Sequence, residues 1–131
     1  MILLDTHVIY WAAAEPKRLS RAATRAIGKA VGVRGLWISS VTLYELAGMV
    51  KTGRIRGAGS PRDVVEAIVG AVRGGVQEIT PEIAVLAQHL PEDFPRDPMD
   101  RLIAATAMAL DIPLVTKDQR IIDSSVVETV W

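Results

Sequence analysis

Five short apolar stretches alternate along the chain with longer segments in which apolar residues recur at helical spacing. The stretches typical of strands are Ile2–Leu4, Leu36–Ser39, Val76–Ile79, Leu114–Thr116 and Val126–Val130. The first, second and fourth are short and uniformly apolar, as interior strands of a parallel sheet are. Strands that alternate with helices predict an α/β fold with a mostly parallel, roughly five-stranded central sheet.

Five helices are predicted between these strands. Apolar residues three, four, seven and eight positions apart predict the first helix from Leu19 to Val31. A second should run from about Thr42 to Lys51, and prolines suited to a first helical turn predict helices that begin near Pro61 and Pro81. The fifth should begin at Asp97-Pro98 and run to about residue 110. A basic stripe lies along the flank of the first predicted helix: Arg18, Arg21, Arg25 and Lys29.

Length and composition narrow the class of protein. The chain has 131 residues, half of them apolar, so we expect residues 1–131 to form a single domain with a real core. No apolar run approaches the roughly 18 residues of a membrane span, so no membrane association is expected. The N-terminus has no basic residue ahead of a long apolar run, unlike a signal peptide. The absence of cysteine excludes disulfides and thiolate metal sites, and a cytoplasmic location is expected.

The net charge is zero, but the charges are unevenly distributed. Residues 1–62 hold ten Lys and Arg against three acids, whereas the remaining residues hold five against twelve. Such asymmetry is typical of a polyanion-binding face beside an acidic one, although solvated faces that only maintain solubility produce the same pattern.

Four carboxylates stand where one element ends and the next begins. Asp5 follows the first strand, and Glu45 lies in the first turn of the helix after the second strand. Asp100 lies in the first turn of the helix that Asp97 begins, and Asp118 follows the fourth strand. Because the carboxyl ends of parallel strands share one edge with the helices that follow them, we expect the four acids to meet there.

Helix capping is the alternative explanation for each acid taken alone. Asp5, Asp97 and Asp118 suit N-caps or turns, and Thr42 with Glu45 matches a capping box. Capping does not explain why four acids should converge, whereas a divalent cation does. Oxygen ligands without cysteine or a histidine cluster favour Mg²⁺ or Mn²⁺, which can polarise a phosphoryl oxygen and activate water. With basic residues nearby, this site predicts phosphodiester hydrolysis.

The order of these motifs resembles that of the PIN-domain nucleases, and specifically the VapC-type toxins of bacterial toxin–antitoxin pairs. One motif alone would be weak evidence for this resemblance, but four motifs occur in the same order and span nearly the whole chain. The matching segments are Ile2–Trp11, Ile38–Leu46, Phe94–Ala105 and Leu114–Asp118.

The resemblance implies a function and a set of site residues. The acids of the family fall on Asp5, Glu45, Asp100 and Asp118. It implies a three-layer α/β/α fold, Mg²⁺ or Mn²⁺, endoribonuclease activity on RNA, a homodimer and a small inhibitory antitoxin as partner. The positions at which the family often has side chains that support the metal ligands are Thr6, Thr116, Asp97 and Arg101.

Three other functions compete with this hypothesis. A phosphohydrolase of the haloacid-dehalogenase type would need a second Asp two residues after Asp5, where this chain has His7. A phospho-receiver domain would need adjacent acids near the first strand, and these are missing. A noncatalytic protein-interaction module would use the acids only as caps. His7 is expected to be a surface or packing residue, and apolar neighbours favour core packing for the aromatic residues Tyr10, Trp11, Trp37 and Tyr44.

Overall fold

A five-stranded parallel sheet forms the centre of the protein. The computed structural model describes residues 1–131. Its strands are β1 (Ile2–Leu4), β2 (Leu36–Ser39), β3 (Gly75–Gln77), β4 (Leu114–Val115) and β5 (Thr129–Val130). Their order is β3-β2-β1-β4-β5, and every neighbouring pair is parallel. The predicted parallel sheet is therefore confirmed, with β1 in the middle.

Seven α-helices connect and flank the strands. They are α1 (Thr6–Ala14), α2 (Arg21–Val31), α3 (Val41–Lys51), α4 (Pro61–Val72), α5 (Pro81–Gln88), α6 (Pro98–Leu110) and α7 (Gln119–Ser124), with a single 3₁₀ turn at Pro16–Arg18. None of these helices combines the length and apolarity that a membrane crossing requires.

The two faces of the sheet bury separate apolar clusters, as a three-layer α/β/α fold requires. Side chains alternate between the faces of a strand, so the neighbours Leu3 and Leu4 in β1 point in opposite directions. Leu4 packs with Val8 and Ile68 of α1 and α4, whereas Leu3 packs with Ile103 of α6. Because helices cover both faces of β1, its residues are apolar throughout rather than alternately polar.

All five predicted strands and five predicted helices are present, with corrected boundaries. β3 begins at Gly75, one residue before its predicted start, and β5 covers only Thr129–Val130 of the predicted Val126–Val130. The first predicted helix, α2, begins at Arg21 because the Ser20 hydroxyl caps it, accepting from the Ala23 amide at 3.0 Å. Arg18 therefore lies in the preceding 3₁₀ turn, and the predicted basic stripe is not continuous along one helix.

Two helices lie outside the predicted set. In α1 the sequence Thr-His-Val-Ile-Tyr-Trp-Ala-Ala-Ala is apolar on nearly every side, so it has no polar face that would show a helical period. α7 has only six residues, too few for a periodic pattern. Both helices begin at one of the candidate acids, Asp5 and Asp118.

Candidate active site

The candidate acids lie at the edge of the sheet where β1, β2 and β4 end. Asp5 follows the central strand directly, and its amide donates to the carbonyl oxygen of Val115 at 3.0 Å. Asp118 follows the neighbouring strand β4, Glu45 lies on the helix after β2, and Asp100 lies in the first turn of α6. The topology thus brings together residues from four separate parts of the chain.

Asp5 is buried and is held by two hydrogen bonds. Oδ1 accepts from the Thr6 amide at 2.7 Å, and Oδ2 accepts from the Thr116 hydroxyl at 2.7 Å. The same hydroxyl oxygen accepts from the Asp118 amide at 3.0 Å, which couples the two acids. Burial raises the pKa of the Asp5 carboxyl above its usual range, although the hydrogen bonds from Thr116 and Thr6 act against this rise.

Glu45 is joined to the same centre through Thr6. The Thr6 hydroxyl donates to Oε1 of Glu45 at 2.6 Å. Because a hydroxyl has one proton, the 3.2 Å contact between the Thr6 and Thr42 hydroxyls has Thr42 as its donor. Burial raises the pKa of Glu45, the Thr6 bond lowers it, and the charges of Asp5 and Asp97 raise it further.

The capping-box alternative for Thr42 and Glu45 is wrong. α3 begins at Val41, so its N-cap position is Ser40, whose side chain makes no capping hydrogen bond. Both side chains instead contact Thr6 on α1. Asp5 and Asp118 do cap helices, since each accepts from an amide of the helix that it begins. Asp5 also accepts from the Thr116 hydroxyl, and Asp118 from the Arg120 guanidinium. Asp5, Glu45, Asp100 and Asp118 are called the acidic centre below.

Asp100 also has a raised pKa. Its side chain is 16% exposed, in the first turn of α6. Burial raises its pKa to about 7, with further contributions from the charges of Asp5, Asp97, Asp118 and Glu45. Each of the other candidate acids is therefore close enough to oppose ionisation of Asp100, which places the four in one electrostatic unit.

Arg120 is a site residue that the sequence did not indicate. Its Nη2 lies 2.8 Å from Oδ2 of Asp118 and 3.5 Å from Oδ2 of Asp100, while its Nε donates to Oδ1 of Asp118 at 3.2 Å. These hydrogen bonds hold the pKa of Asp118 below its usual range. The sequence signal that could have indicated Arg120 is its position two residues after Asp118, an acid expected at the edge of the sheet.

Asp97 and Arg101, the remaining expected neighbours of the site, are placed differently from each other. Asp97 caps α6, with Oδ1 accepting from the Met99 amide at 2.8 Å, and its charge reaches Asp100 and Glu45. The Arg101 guanidinium donates instead to main-chain carbonyls, including that of Pro95 at 3.0 Å. It therefore fastens the loop before α6 and donates to none of the four carboxylates.

The donor set fits a hard cation, although the side chains are not arranged around one. No three Asp, Glu or His side chains form a group that could hold a metal ion as they stand. Threonine and arginine donors engage the carboxylate oxygens instead. The centre nevertheless offers only oxygen ligands, and its four carboxylates are contacted by one cationic side chain, that of Arg120. Such a set suits Mg²⁺ or Mn²⁺.

The aromatic residues are divided between core and surface. Trp11 is buried, with 6% of its surface exposed, as predicted for core packing. The same prediction is wrong for Tyr44, which is 76% exposed on α3. His7 is exposed, as expected, and its ring contacts both Trp11 and Arg54.

The sequence was then compared with known proteins. A family model described as the PIN domain matches residues 2–125. Ribonuclease VapC22 of Mycobacterium tuberculosis is 42% identical over 120 residues, which cover 92% of this chain and 88% of that protein.

Solved structures share the fold at low sequence identity. The crystal structure of VapBC2 from Rickettsia felis, bound to a DNA fragment from its promoter, gives a TM-score of 0.73 at 16% identity and covers 98% of this chain and 97% of the other. A toxin–antitoxin complex from Klebsiella pneumoniae gives 0.60 at 20% identity, covering 91% and 88%. At these identities the structural likeness establishes the three-layer fold alone.

Proposed function

The chain belongs to the PIN-domain family, and on that premise we propose that it is a metal-dependent endoribonuclease whose divalent ion is held by Asp5, Glu45, Asp100 and Asp118. The observation that carries the proposal is that these acids converge: the Thr116 hydroxyl joins Asp5 to Asp118, and the Arg120 guanidinium lies against both Asp118 and Asp100. So much uncompensated negative charge at one sheet edge is explained by a cation. The identity with a ribonuclease over most of the chain supports RNA as substrate.

The residues of this chain have separate roles in the proposed reaction. The Thr116 and Thr6 hydroxyls orient Asp5 and Glu45 without neutralising them, so their remaining lone pairs stay available for a ligand. The Arg120 guanidinium lies against Asp118 and Asp100 and balances part of their charge, and a divalent cation would replace it there. Bound Mg²⁺ or Mn²⁺ would supply Lewis-acid chemistry, polarising the scissile phosphoryl oxygen and lowering the pKa of water.

The proposed biological role is that of the toxin in a toxin–antitoxin pair. One structural relative is itself a toxin–antitoxin complex, which supports a small antitoxin as partner. We further propose that residues 1–131 act as one PIN domain, that two copies form a homodimer and that the protein works in the cytoplasm. Light scattering of the purified chain, alone and coexpressed with the product of an adjacent small gene, tests the dimer and the partner.

Cleavage of total RNA tests the enzymatic proposal. Wild-type protein free of antitoxin should cleave with Mg²⁺ or Mn²⁺ and not with EDTA. Asp100→Asn should stay folded and lose at least about 100-fold in rate, because several kcal/mol of charge stabilisation depend on the ion. Asp93→Asn is the matched control, since Asp93 is an exposed acid in the loop before α6.

Full cleavage by Asp100→Asn, or cleavage in EDTA, would contradict the proposal. Absence of both cleavage and Mn²⁺ binding in the wild-type protein would favour the noncatalytic interaction module instead. Another acidic-site phosphohydrolase would be indicated by Mn²⁺ binding with hydrolysis of small phosphate esters and none of RNA.

A further inference from the structure

A pocket of about 380 Å³ lies beside α1, next to the acidic centre. His7, Arg18 and Arg54 contribute its basic lining, and Trp11 forms part of its wall. These four residues, which we call the basic pocket, come from α1, the 3₁₀ turn after it and the segment after α3. Neither the proposed metal site nor the fold of the sheet requires three such side chains in one place.

Two cations lie against the ring of Trp11. Its ring is 6% exposed and packs against Trp131, with 5.8 Å between ring centroids. The Arg18 guanidinium carbon lies 4.5 Å from the Trp11 centroid, and Nζ of Lys117 lies 5.7 Å from it. Cation–π contact of this kind orders a guanidinium before any ligand arrives, which reduces the entropy lost on binding.

Arg54 enters the pocket from the other side. Its Nη2 lies 3.3 Å from Nε2 of His7. Because a guanidinium can only donate, Nε2 of His7 is the acceptor in this contact. Arg18 and Arg54 supply two positive charges to the lining, and Lys117 lies nearby against the Trp11 ring. The acid in the lining is Glu15, whose Oε2 lies 3.7 Å from Nη1 of Arg18. The pocket keeps an excess of positive charge.

The basic pocket is continuous with the acidic centre. Asp5 is the N-cap of α1, and His7 lies in the first turn of the same helix, two residues after Asp5. Lys117 directly precedes Asp118 on the same segment. A chain of phosphates that crosses the four acids would therefore meet the cations around Trp11 next.

We propose that the basic pocket binds a backbone phosphate of the RNA substrate beside the phosphodiester that is cut. This inference rests on the proposed ribonuclease function and adds a substrate-positioning site to it. An acidic protein segment could pair with the same cations, and the polyglutamate arm of the test below addresses it. RNA is favoured because one of its phosphates can meet the metal while its neighbour meets Arg18 and Arg54.

Binding in EDTA tests the pocket without any cleavage. The probe is a fluorescein-labelled oligouridylate, followed by anisotropy at increasing KCl concentration. Arg18→Gln and Arg54→Gln should each weaken binding by about three- to ten-fold and reduce the slope of log K against log salt by about 0.7 for each lost phosphate contact. Arg54→Lys, which keeps the charge, should retain most of the affinity.

Arg73→Gln is the matched control for loss of one exposed arginine. Arg73 ends α4 directly before β3, at the opposite edge of the parallel sheet. It should leave binding nearly unchanged. With Mn²⁺ present, Arg18→Gln and Arg54→Gln should raise KM for RNA with little change in kcat, and their Mn²⁺ affinity by calorimetry should equal that of the wild type.

Four outcomes separate the possibilities. The proposal would be overturned if the Arg18→Gln/Arg54→Gln double variant bound RNA with the affinity and salt slope of the wild type. It would also be overturned if Arg73→Gln lost as much RNA affinity as these variants. Unchanged RNA binding with lost polyglutamate binding would assign the pocket to an acidic protein and also overturn it. If the two variants bind RNA more weakly but the wild type cleaves no RNA, RNA binding at the pocket would be supported and the nuclease function rejected. Circular dichroism checks that each variant is folded.

Discussion

The four acids of the candidate site are held in two different ways. On the hydroxyl side, Asp5 and Glu45 accept from Thr116 and Thr6 at 2.7 and 2.6 Å. On the arginine side, Asp100 and Asp118 share the guanidinium of Arg120, whose side chain is 67% exposed. A hydroxyl orients a carboxylate and leaves its charge, whereas a guanidinium balances the charge through an exposed side chain that can move.

This difference assigns separate tasks to the two sides. The threonines Thr6, Thr42 and Thr116 are fully or nearly fully buried, so their side of the site is preorganised. On the arginine side, burial raises the pKa of Asp100 to about 7, while the hydrogen bonds from Arg120 keep the pKa of Asp118 below its usual range. A divalent ion would therefore find fixed ligands on one side and an exchangeable cation on the other.

Removal of the Thr116 hydroxyl should have the largest effect on stability. Thr116→Val should lower the free energy of unfolding by about 2 kcal/mol, because the buried Asp5 carboxyl loses a donor and the Asp118 amide loses an acceptor. Urea denaturation in EDTA measures the change. Thr106→Val is the control: Thr106 is equally buried, but its hydroxyl donates to the Leu102 carbonyl of its own helix. Equal losses in the two variants would contradict a special role for the hydroxyl side.

Asp100→Asn should change how the free energy of unfolding depends on pH, which tests the arginine side of the site. The folded chain keeps the Asp100 proton up to about pH 7, whereas the unfolded chain loses it near the ordinary aspartate pKa of 3.8. Between these pKa values the unfolded state binds fewer protons, so the contribution of Asp100 to unfolding free energy falls as pH rises, and it stays low above pH 7. Relative to the wild type, Asp100→Asn should gain about 1 kcal/mol between about pH 5 and about pH 8, since partial solvation reduces the effect.

Urea denaturation in EDTA across this pH range measures the gain, and Asp93→Asn provides its control. An exposed acid outside the site should show no pH-dependent difference from the wild type. If Asp100→Asn followed the same course as Asp93→Asn, Asp100 would ionise normally, and the electrostatic unit of four acids would be wrong.

Arg120→Gln should have the smallest effect, seen in metal affinity. Without the guanidinium, Mn²⁺ meets no competing cation at Asp100 and Asp118 and should bind about three-fold tighter by calorimetry. Arg62→Gln is the control, because its Nε lies 2.8 Å from Oε1 of Glu66 in an ion pair on α4. Weaker Mn²⁺ binding in Arg120→Gln would show that Arg120 supports the ion rather than replaces it.

The sequence was sufficient to predict those features of the site that follow from the order and direction of the strands. Asp5, Glu45, Asp100 and Asp118 could be placed at one edge because parallel strands end together, and the PIN fold followed from the order of the same motifs. The sequence did not predict, or predicted wrongly, the contacts that depend on where a side chain points. Arg120 lies on a helix too short to show a period, and Thr42 matched a capping box although its hydroxyl contacts Thr6.

The basic pocket shows the same limit. Arg18 and Arg54 are far apart in sequence, and only the packing of α1 against the segment after α3 brings them near Trp11. Charge counts indicated a basic N-terminal half but could not select these residues among ten Lys and Arg. No rule of strand order places them together, so their convergence could be found only in the three-dimensional structure.

The most direct test of the metal site is a crystal structure of the wild-type protein grown with Mn²⁺, with anomalous scattering used to locate the ion. We predict an anomalous peak between Asp5, Asp100 and Asp118, with Glu45 bound directly or through water and the Arg120 guanidinium moved away from Asp100 and Asp118. No peak at this edge of the sheet, with Arg120 still bound to both acids at saturating Mn²⁺, would contradict the account.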